Sequence, residues 1–239
     1  MSGSGKSAAK RGKVSREAIV EAAMEVSDSA AGLDAVTVRN LATMLGTGTM
    51  TLYGYFRSKE EILDAMADRV MSGIDLTPVE KEEPADAMRA VARAFLRLMT
   101  EHPSVLGLLS SRVIRSQTSL KRAMEDVLRR LVSAGIPEEL AVRSYGWLIQ
   151  FSLGFAAYQA PRPWGAESGE AGAELRRQQQ HYWEGLPSHD FPLVVAHAPN
   201  LVMLSTREQF DWGVELFIKG FLEHALIEQQ PTLEISRSG

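Results

Sequence analysis

The stretch TVRNLATMLGTGTMTLYGYFRSKEEIL, residues 37–63, decides how this chain is read. Thr37 is an N-cap candidate placed just before Val38, Leu41, Ala42 and Leu45, which share one face of a helix. Gly46 stops that helix. A second short helix is expected over residues 49–56. Ser58 then caps a longer helix whose inner face is Ile62, Leu63, Met66, Val70 and Met71. Two short helices joined by a tight glycine turn form a helix-turn-helix. A short helix enters the major groove of DNA only when another helix braces it. Its inner side must therefore be apolar, and its outer side polar, aromatic or small. Val38, Leu41, Leu45 and Leu52 supply the inner side. Thr47, Thr49, Thr51, Tyr53 and Tyr55 carry hydroxyls suited to phosphates or base edges. Arg39, on the bracing helix, has the reach for a phosphate or a guanine. Lys59 begins the following helix, where its ammonium and the backbone N–H groups suit a phosphate.

Upstream, Ser15 caps a helix carrying Ala18, Ile19, Ala22, Ala23 and Val26 at helical spacing, with Gly32 as its stop. Residues 1–14 have almost nothing to bury and are expected to be a disordered basic arm. Lys10, Arg11 and Lys13 there suit either a solubilising tail or contact with a minor groove. Net charge over the whole chain is −4, which by itself argues against nucleic acid. The distribution reverses that argument. Residues 1–59 carry eight Lys and Arg against five acids, so the negative charge lies beyond them. A small anion-binding head on a larger acidic body has this asymmetry.

The 27-residue stretch is similar to the N-terminal domain of the tetracycline-repressor-like (TetR) family. The resemblance rests on Thr37-x-Arg39-x-Leu41-Ala42, Leu45-Gly46, Leu52-Tyr53, Phe56 and Lys59-x-x-Ile62-Leu63, and covers about residues 15–65. REQFDWGVELFIKGF, residues 207–221, is similar to the last helix of the family's C-terminal domain. The resemblance implies an all-α protein with a three-helix DNA-binding head and a helical body for ligand binding and dimerisation. It implies that Tyr53 and Lys59 contact phosphate, and that Thr47, Gly48, Thr49, Met50 and Thr51 read bases with support from Thr37, Arg39 and Tyr55. Three positions depart from the family pattern. Gly48 stands where a capping serine is frequent, Met50 where a small residue or proline is usual, and Gly54 where a bulky residue is usual. These departures bear on the operator sequence rather than on the mode of binding.

The expected division is an arm over residues 1–14, a DNA-binding domain over 15–60 and a ligand-binding, dimerising domain over 61–239. Beyond a polar segment at residues 75–83 every long element reads as helix. Pro84 suits a first helical turn, Pro103 opens a short segment, and residues 119–134 form an amphipathic helix closed by Gly135. Residues 138–159 read as helix, 160–170 as loop, 171–184 as a polar helix and 206–228 as the last long helix. Strand-like alternation is nearly absent.

From residue 145 to 158 the only strongly polar side chain is Gln150, and a helix apolar on all sides must be buried on all sides. That implies a partner chain. The last helix adds a stripe of Phe210, Gly213, Val214, Phe217, Gly220, Phe221 and His224. A homodimer through Tyr145, Leu148, Ser152, Phe210, Gly213, Phe217, Gly220 and Phe221 is the resulting expectation. The family pairs these two helices into a four-helix bundle. A small-molecule effector pocket is expected from Phe95, Met99, His102, Leu106, Gln150, Phe151, Gly154, Phe155 and Tyr158, whose aromatic and sulfur groups suit a planar, largely apolar ligand. The family's tetracycline–magnesium ligands do not map onto this chain, so tetracycline is not the expected effector.

Other chemistries find no support. The chain has no cysteine, so disulfides, thiolate nucleophiles and zinc-thiolate sites are excluded together. Gly3-Ser4-Gly5-Lys6-Ser7 lacks the first glycine and the preceding strand of a phosphate-binding loop. His181, His189 and His197 are eight residues apart, which is not metal-ligand spacing on a helix. No nucleophile elbow is present. No cofactor, no metal and no catalytic residue is expected, and a cytoplasmic protein without a membrane partner is. The reading is a transcriptional regulator of double-stranded operator DNA, a repressor released by its effector. An activator of the same type, and a helical enzyme or carrier of an aromatic metabolite, remain as alternatives.

Overall fold

The computed structural model describes residues 14–29, 32–74, 76–111 and 116–228. Apart from Val14, the expected basic arm lies outside them. Among the described residues every regular element is helical. The elements are α1 (Arg16–Asp28), a 3₁₀ turn (Leu33–Ala35), α2 (Val38–Met44), α3 (Thr49–Tyr53) and α4 (Lys59–Met71). Next come α5 (Pro84–Glu101), α6 (Pro103–Ser111), α7 (Gln117–Leu120), a π turn (Lys121–Glu125), α8 (Asp126–Ser133) and α9 (Glu138–Gln159). The chain continues through α10 (Pro163–Ala166), α11 (Gly169–Glu184), α12 (Pro192–Ala196), α13 (Ala198–Leu201) and a 3₁₀ turn (Val202–Ser205) to α14 (Arg207–Glu228). Backbone contacts gather these into two compact units. One is built from residues up to 73 together with 102–120, the other from 74–101 together with 121 onward. The sequence division near residue 60 differs: α4, α6 and α7 cluster with the helix-turn-helix rather than with the remaining helices.

In the first unit the caps lie where hydroxyls precede apolar periodicity. Ser15 accepts from the N–H of Ala18, Thr37 from that of Asn40, and Ser58 from that of Glu61. Each satisfies a donor that a helix start would otherwise leave open. Gly46 ends α2 as expected, at a positive φ of 61° that glycine adopts without strain. Two boundaries differ from expectation. α1 ends at Asp28, and Gly32, at φ 63°, opens the 3₁₀ turn instead of closing α1. α3 stops at Tyr53 rather than residue 56, and Gly54, a poor helix former, caps it. The core is Ile19, Ala23, Leu41, Leu52, Phe56, Ile62 and Met66, joined by Leu108 from α6. A Cβ on Gly107 would come within 2.7 Å of the Leu33 side chain, so α6 runs close against the 3₁₀ turn.

The amphipathic helix expected over residues 119–134 is interrupted. Asp68 of α4 accepts from the hydroxyls of Ser116 and Ser119 and from the Ser119 N–H, which holds α7 against α4. Its second half, α8, packs instead on α5 and α9 through Val127 and Leu131. A π turn lies between the two halves.

In the second unit α5 and α9 make the most extensive helix pair, with α8 and α14 beside them. Val91, Ala92 and Phe95 of α5 meet the face of α9 that carries Ala141, Ser144, Leu148 and Ser152. The bidentate pair of Arg130 and Glu82, at 2.6 and 2.9 Å, is almost entirely buried and fastens the segment before α5 to α8. Arg89 joins Glu215, and Arg93 joins Asp211 at 3.3 Å, clasping α5 to α14. The segment expected to be loop at 160–170 contains α10. Pro163 presets its first turn, and Gly165 lies where a Cβ would collide with Ser205.

Candidate nucleic-acid interface

The outer surface of α2, the turn and α3 is built from small and aromatic side chains. Leu41 and Leu52 are buried behind it, and Val38 and Leu45 are half-buried. Arg39, Gly48, Thr49, Met50, Thr51, Tyr53 and Tyr55 are exposed, whereas Thr37 and Thr47 are half-buried. α3 starts from Gly48 without a side-chain cap, as the missing serine leads one to expect. Its far end is instead braced from α1. The Arg16 guanidinium stacks on Phe56 at 4.0 Å and donates to the Tyr55 carbonyl at 3.0 Å. The Tyr55 hydroxyl donates to the Val14 carbonyl at 2.8 Å, so it tethers the start of α1. Lys59 is half-buried, and its ammonium reaches the Leu33 carbonyl at 3.4 Å. The start of α4 carries a carboxylate, because Glu61 accepts from the Arg57 N–H at 2.8 Å. At the start of α1, Glu17 is held below the usual carboxylate range, first by its own backbone N–H and then by the Ser15 hydroxyl. Arg16 has no signal in the local sequence. Its partners lie about 40 positions away and meet it only when the start of α1 folds against the turn between α3 and α4.

The residues expected to form the effector pocket do not converge. Phe95 and Met99 are fully buried within the second unit. Phe155 is buried against Phe210, ring centroids 5.1 Å apart, and Phe151 stacks on Trp147 and Phe210. Gln150, Gly154 and Tyr158 lie on an exposed stripe of α9, with the Tyr158 ring under the Arg162 guanidinium at 3.6 Å. His102 and Leu106 belong to the first unit. There His102 lines a cavity of about 400 Å³ with Glu21, Glu25, Asp28 and Arg69. In the second unit a more apolar cavity of about 340 Å³ is lined by Pro84, Ile136, Pro137, Phe221 and Leu222.

The residues expected at a dimer interface divide in the same way. Leu148 and Ser152 are fully buried within the chain, Ser152 donating to the Ala92 carbonyl of α5 at 3.4 Å. Tyr145 meets Phe95 edge-on, and burial pushes its phenol pKa up. Phe210 is buried, Phe217 stacks on Trp147 at 3.8 Å, and a Cβ on Gly213 would strike the Phe151 ring. Gly220 is exposed, and Phe221 lines the apolar cavity. Sequence reasoning missed Trp212 and Leu216, 59% and 53% exposed on the same face of α14 as Gly220. Their i, i+4, i+8 spacing was the available signal.

Known proteins resemble the chain along most of its length. Residues 19–66 match the family model of bacterial regulatory proteins of the tetR family. Residues 77–225 match the tetracyclin repressor-like C-terminal domain. The chain therefore belongs to the TetR family of transcriptional regulators, which are not enzymes. It is 35% identical over 149 residues to the HTH-type transcriptional repressor DrrR1 of Streptomyces coeruleorubidus, covering 59% of this chain and 52% of that protein. The chain thus spans about half the length of that relative. Over 173 residues it is 25% identical to the class C tetracycline repressor of Escherichia coli, covering 70% of this chain and 73% of that one. The structure of ActR from Streptomyces coelicolor in complex with actinorhodin superposes with a TM-score of 0.68 at 28% identity, covering 90% of this chain and 99% of that chain. Among the described residues no helix is long and apolar enough to cross a membrane, and no group of acidic and histidine side chains could hold a metal ion.

Proposed function

We propose that this chain is a homodimeric repressor that binds double-stranded operator DNA through α2 and α3, in the cytoplasm, and is released by a small, largely apolar and aromatic effector. The observation that carries this reading is the α2–α3 surface: exposed threonines, a methionine and a tyrosine over a buried leucine floor. That surface agrees with the direct reading of base edges by the start of a recognition helix. Thr49, Met50 and Thr51 are the proposed reading residues, Tyr53 and Lys59 the phosphate contacts, and Arg39 the support with reach for a phosphate or a guanine. Similarity to DrrR1, a repressor, favours repression over activation. Similarity to ActR, whose structure is solved with actinorhodin, supports an organic effector. Dimerisation is supported by the exposed Trp212, Leu216 and Gly220 of α14. Two recognition helices must lie about 34–36 Å apart to read successive major grooves, which a two-fold dimer accomplishes.

An effector lowers operator affinity only if it binds the DNA-free arrangement more tightly than the DNA-bound one. Asp68 is the proposed point of transmission. It ties α4 to Ser116 and Ser119, a few residues before the chain enters the second unit. The test is a gel shift with DNA from upstream of the chain's own coding sequence, titrated with salt. Sequence-selective binding that weakens linearly in log affinity against log salt is expected. Binding to all duplexes alike, or none at physiological salt, would overturn the proposal.

A further inference from the structure

Resting on that DNA-binding reading, we infer that α3 reads its operator chiefly through the C5-methyl groups of thymines, and that Met50 is the side chain that touches them. Bidentate hydrogen bonding to a base edge requires Arg, Lys, Asn or Gln, and the cytosine amino group is read by an accepting carboxylate. Residues 38–55 contain only two such side chains, Arg39 and Asn40. The Asn40 amide already donates to the Ala35 carbonyl at 2.9 Å and holds the 3₁₀ turn. Thr43, the exposed hydroxyl of α2, donates back to the Arg39 carbonyl at 3.0 Å. The Tyr55 hydroxyl is committed to Val14. Arg39, on the bracing helix, is left as the one group of this region fit for a guanine. On α3 itself nothing is charged and nothing carries an amide.

What α3 presents beside its hydroxyls is apolar. Met50 is 80% exposed, the most exposed large apolar side chain among the described residues. It occupies the second position of α3, and the N-terminal residues of a recognition helix are those that meet base edges. Tyr53 follows three residues later and is also exposed, so the two share a face. Thr49 and Thr51 flank Met50 with a methyl group each. The thymine C5-methyl is the one apolar group displayed in the major groove. A flexible, polarizable thioether adapts to it more readily than a branched side chain does. A methionine held out in water gains nothing within the folded chain, whereas against a thymine methyl it removes apolar surface from water on both sides. The half-site under α3 is therefore rich in A·T pairs, with a guanine expected only within reach of Arg39.

The full-length chain would be used to enrich a duplex from a random-sequence pool. The enriched site would then be resynthesised with deoxyuridine replacing each thymidine singly. That change deletes a methyl and leaves every hydrogen-bonding group in place. The wild-type chain is expected to lose about fourfold in affinity at a contacted thymidine, and about 15-fold when the equivalent thymidines of both half-sites are changed. Met50→Ala should bind the thymidine duplex more weakly and should not distinguish thymidine from deoxyuridine at that position. Its circular-dichroism melt should match the wild type. Arg39→Ala should bind more weakly yet keep the discrimination. Equal affinity of the wild type for both duplexes, a Met50→Ala chain that still discriminates, or an enriched half-site without thymine would each overturn the inference while leaving DNA binding intact. Failure to enrich any sequence would overturn the DNA-binding reading itself.

Discussion

The first unit and the α9–α14 pair were equally visible as helices in the sequence, yet they differ in what the sequence could say about them. In α1, α2 and α4 the boundaries are set by groups a few residues apart: Ser15, Thr37 and Ser58 each accept from an N–H three positions on. A short-range signal of this kind survives any change elsewhere in the fold. In α9 and α14 the apolar residues surround the helix axis, so periodicity marks a helix without selecting its inward face. Leu148 and Ser152, read as facing a partner, are fully buried on α5, while Gln150, Gly154 and Tyr158, read as facing a ligand, lie on the exposed stripe. Helices are local objects; their orientation is a property of the whole unit.

This difference can be broken at its strongest point. Arg130→Ala leaves Glu82 buried without its partner, and urea unfolding should show a loss of about 3–5 kcal/mol. A loss below about 1 kcal/mol would mean that the pair does not hold the segment before α5. Leu148→Ala should cost about 2–5 kcal/mol by the same assay and leave the mass of the proposed dimer unchanged in light scattering. Gly220→Trp, on the exposed face of α14, should shift that mass to the monomer; an intact dimer would remove Trp212, Leu216 and Gly220 from the interface. Thr37→Ala should cost about 1 kcal/mol, because it deletes a cap and nothing else, and α2 should fray first in hydrogen exchange. The smallest effect belongs to the α5–α14 clasp. Hydrogen bonding from Arg89 holds the Glu215 carboxyl below the usual range, and the same bond raises the Arg89 pKa further. A depressed folded-state value means the contribution is present at neutral pH and is lost as the pH falls through that value. The pair is substantially exposed and screened, so Glu215→Gln should lower stability at pH 7 by less than about 1 kcal/mol, and by progressively less as the pH falls through the depressed range of that carboxyl.

The helix-turn-helix was legible because its parts are compact. A capping threonine, a glycine that must turn left-handed at residue 46 and an apolar floor all fall within about 20 residues. What supports it was not legible. Arg16 reaches Phe56 and Tyr55, and Asp68 reaches Ser116 and Ser119, across 39 to 51 positions of chain. No window of sequence contains such pairs. The short helix α10 was hidden for a related reason. Proline, tryptophan and glycine read as loop, but Gly165 is small because Ser205 packs directly on it. The interruption at residues 121–125 was hidden too, because the two halves of one amphipathic pattern are held by different neighbours.

By itself, then, the sequence determined an all-helical chain, the start of each capped helix in the head and the chemical character of α3: hydroxyls, one methionine and no amide or charge. Each follows from residue type and short spacing, which folding does not alter. Tertiary structure alone decided which polar groups remain free and which faces remain open. Asn40, Thr43 and Tyr55 are occupied by carbonyls, and Met50 is left in solvent. Hydrogen bonds and burial are settled between elements distant in the chain, so the difference between a side chain that could meet DNA and one already engaged appears only after the helices have packed.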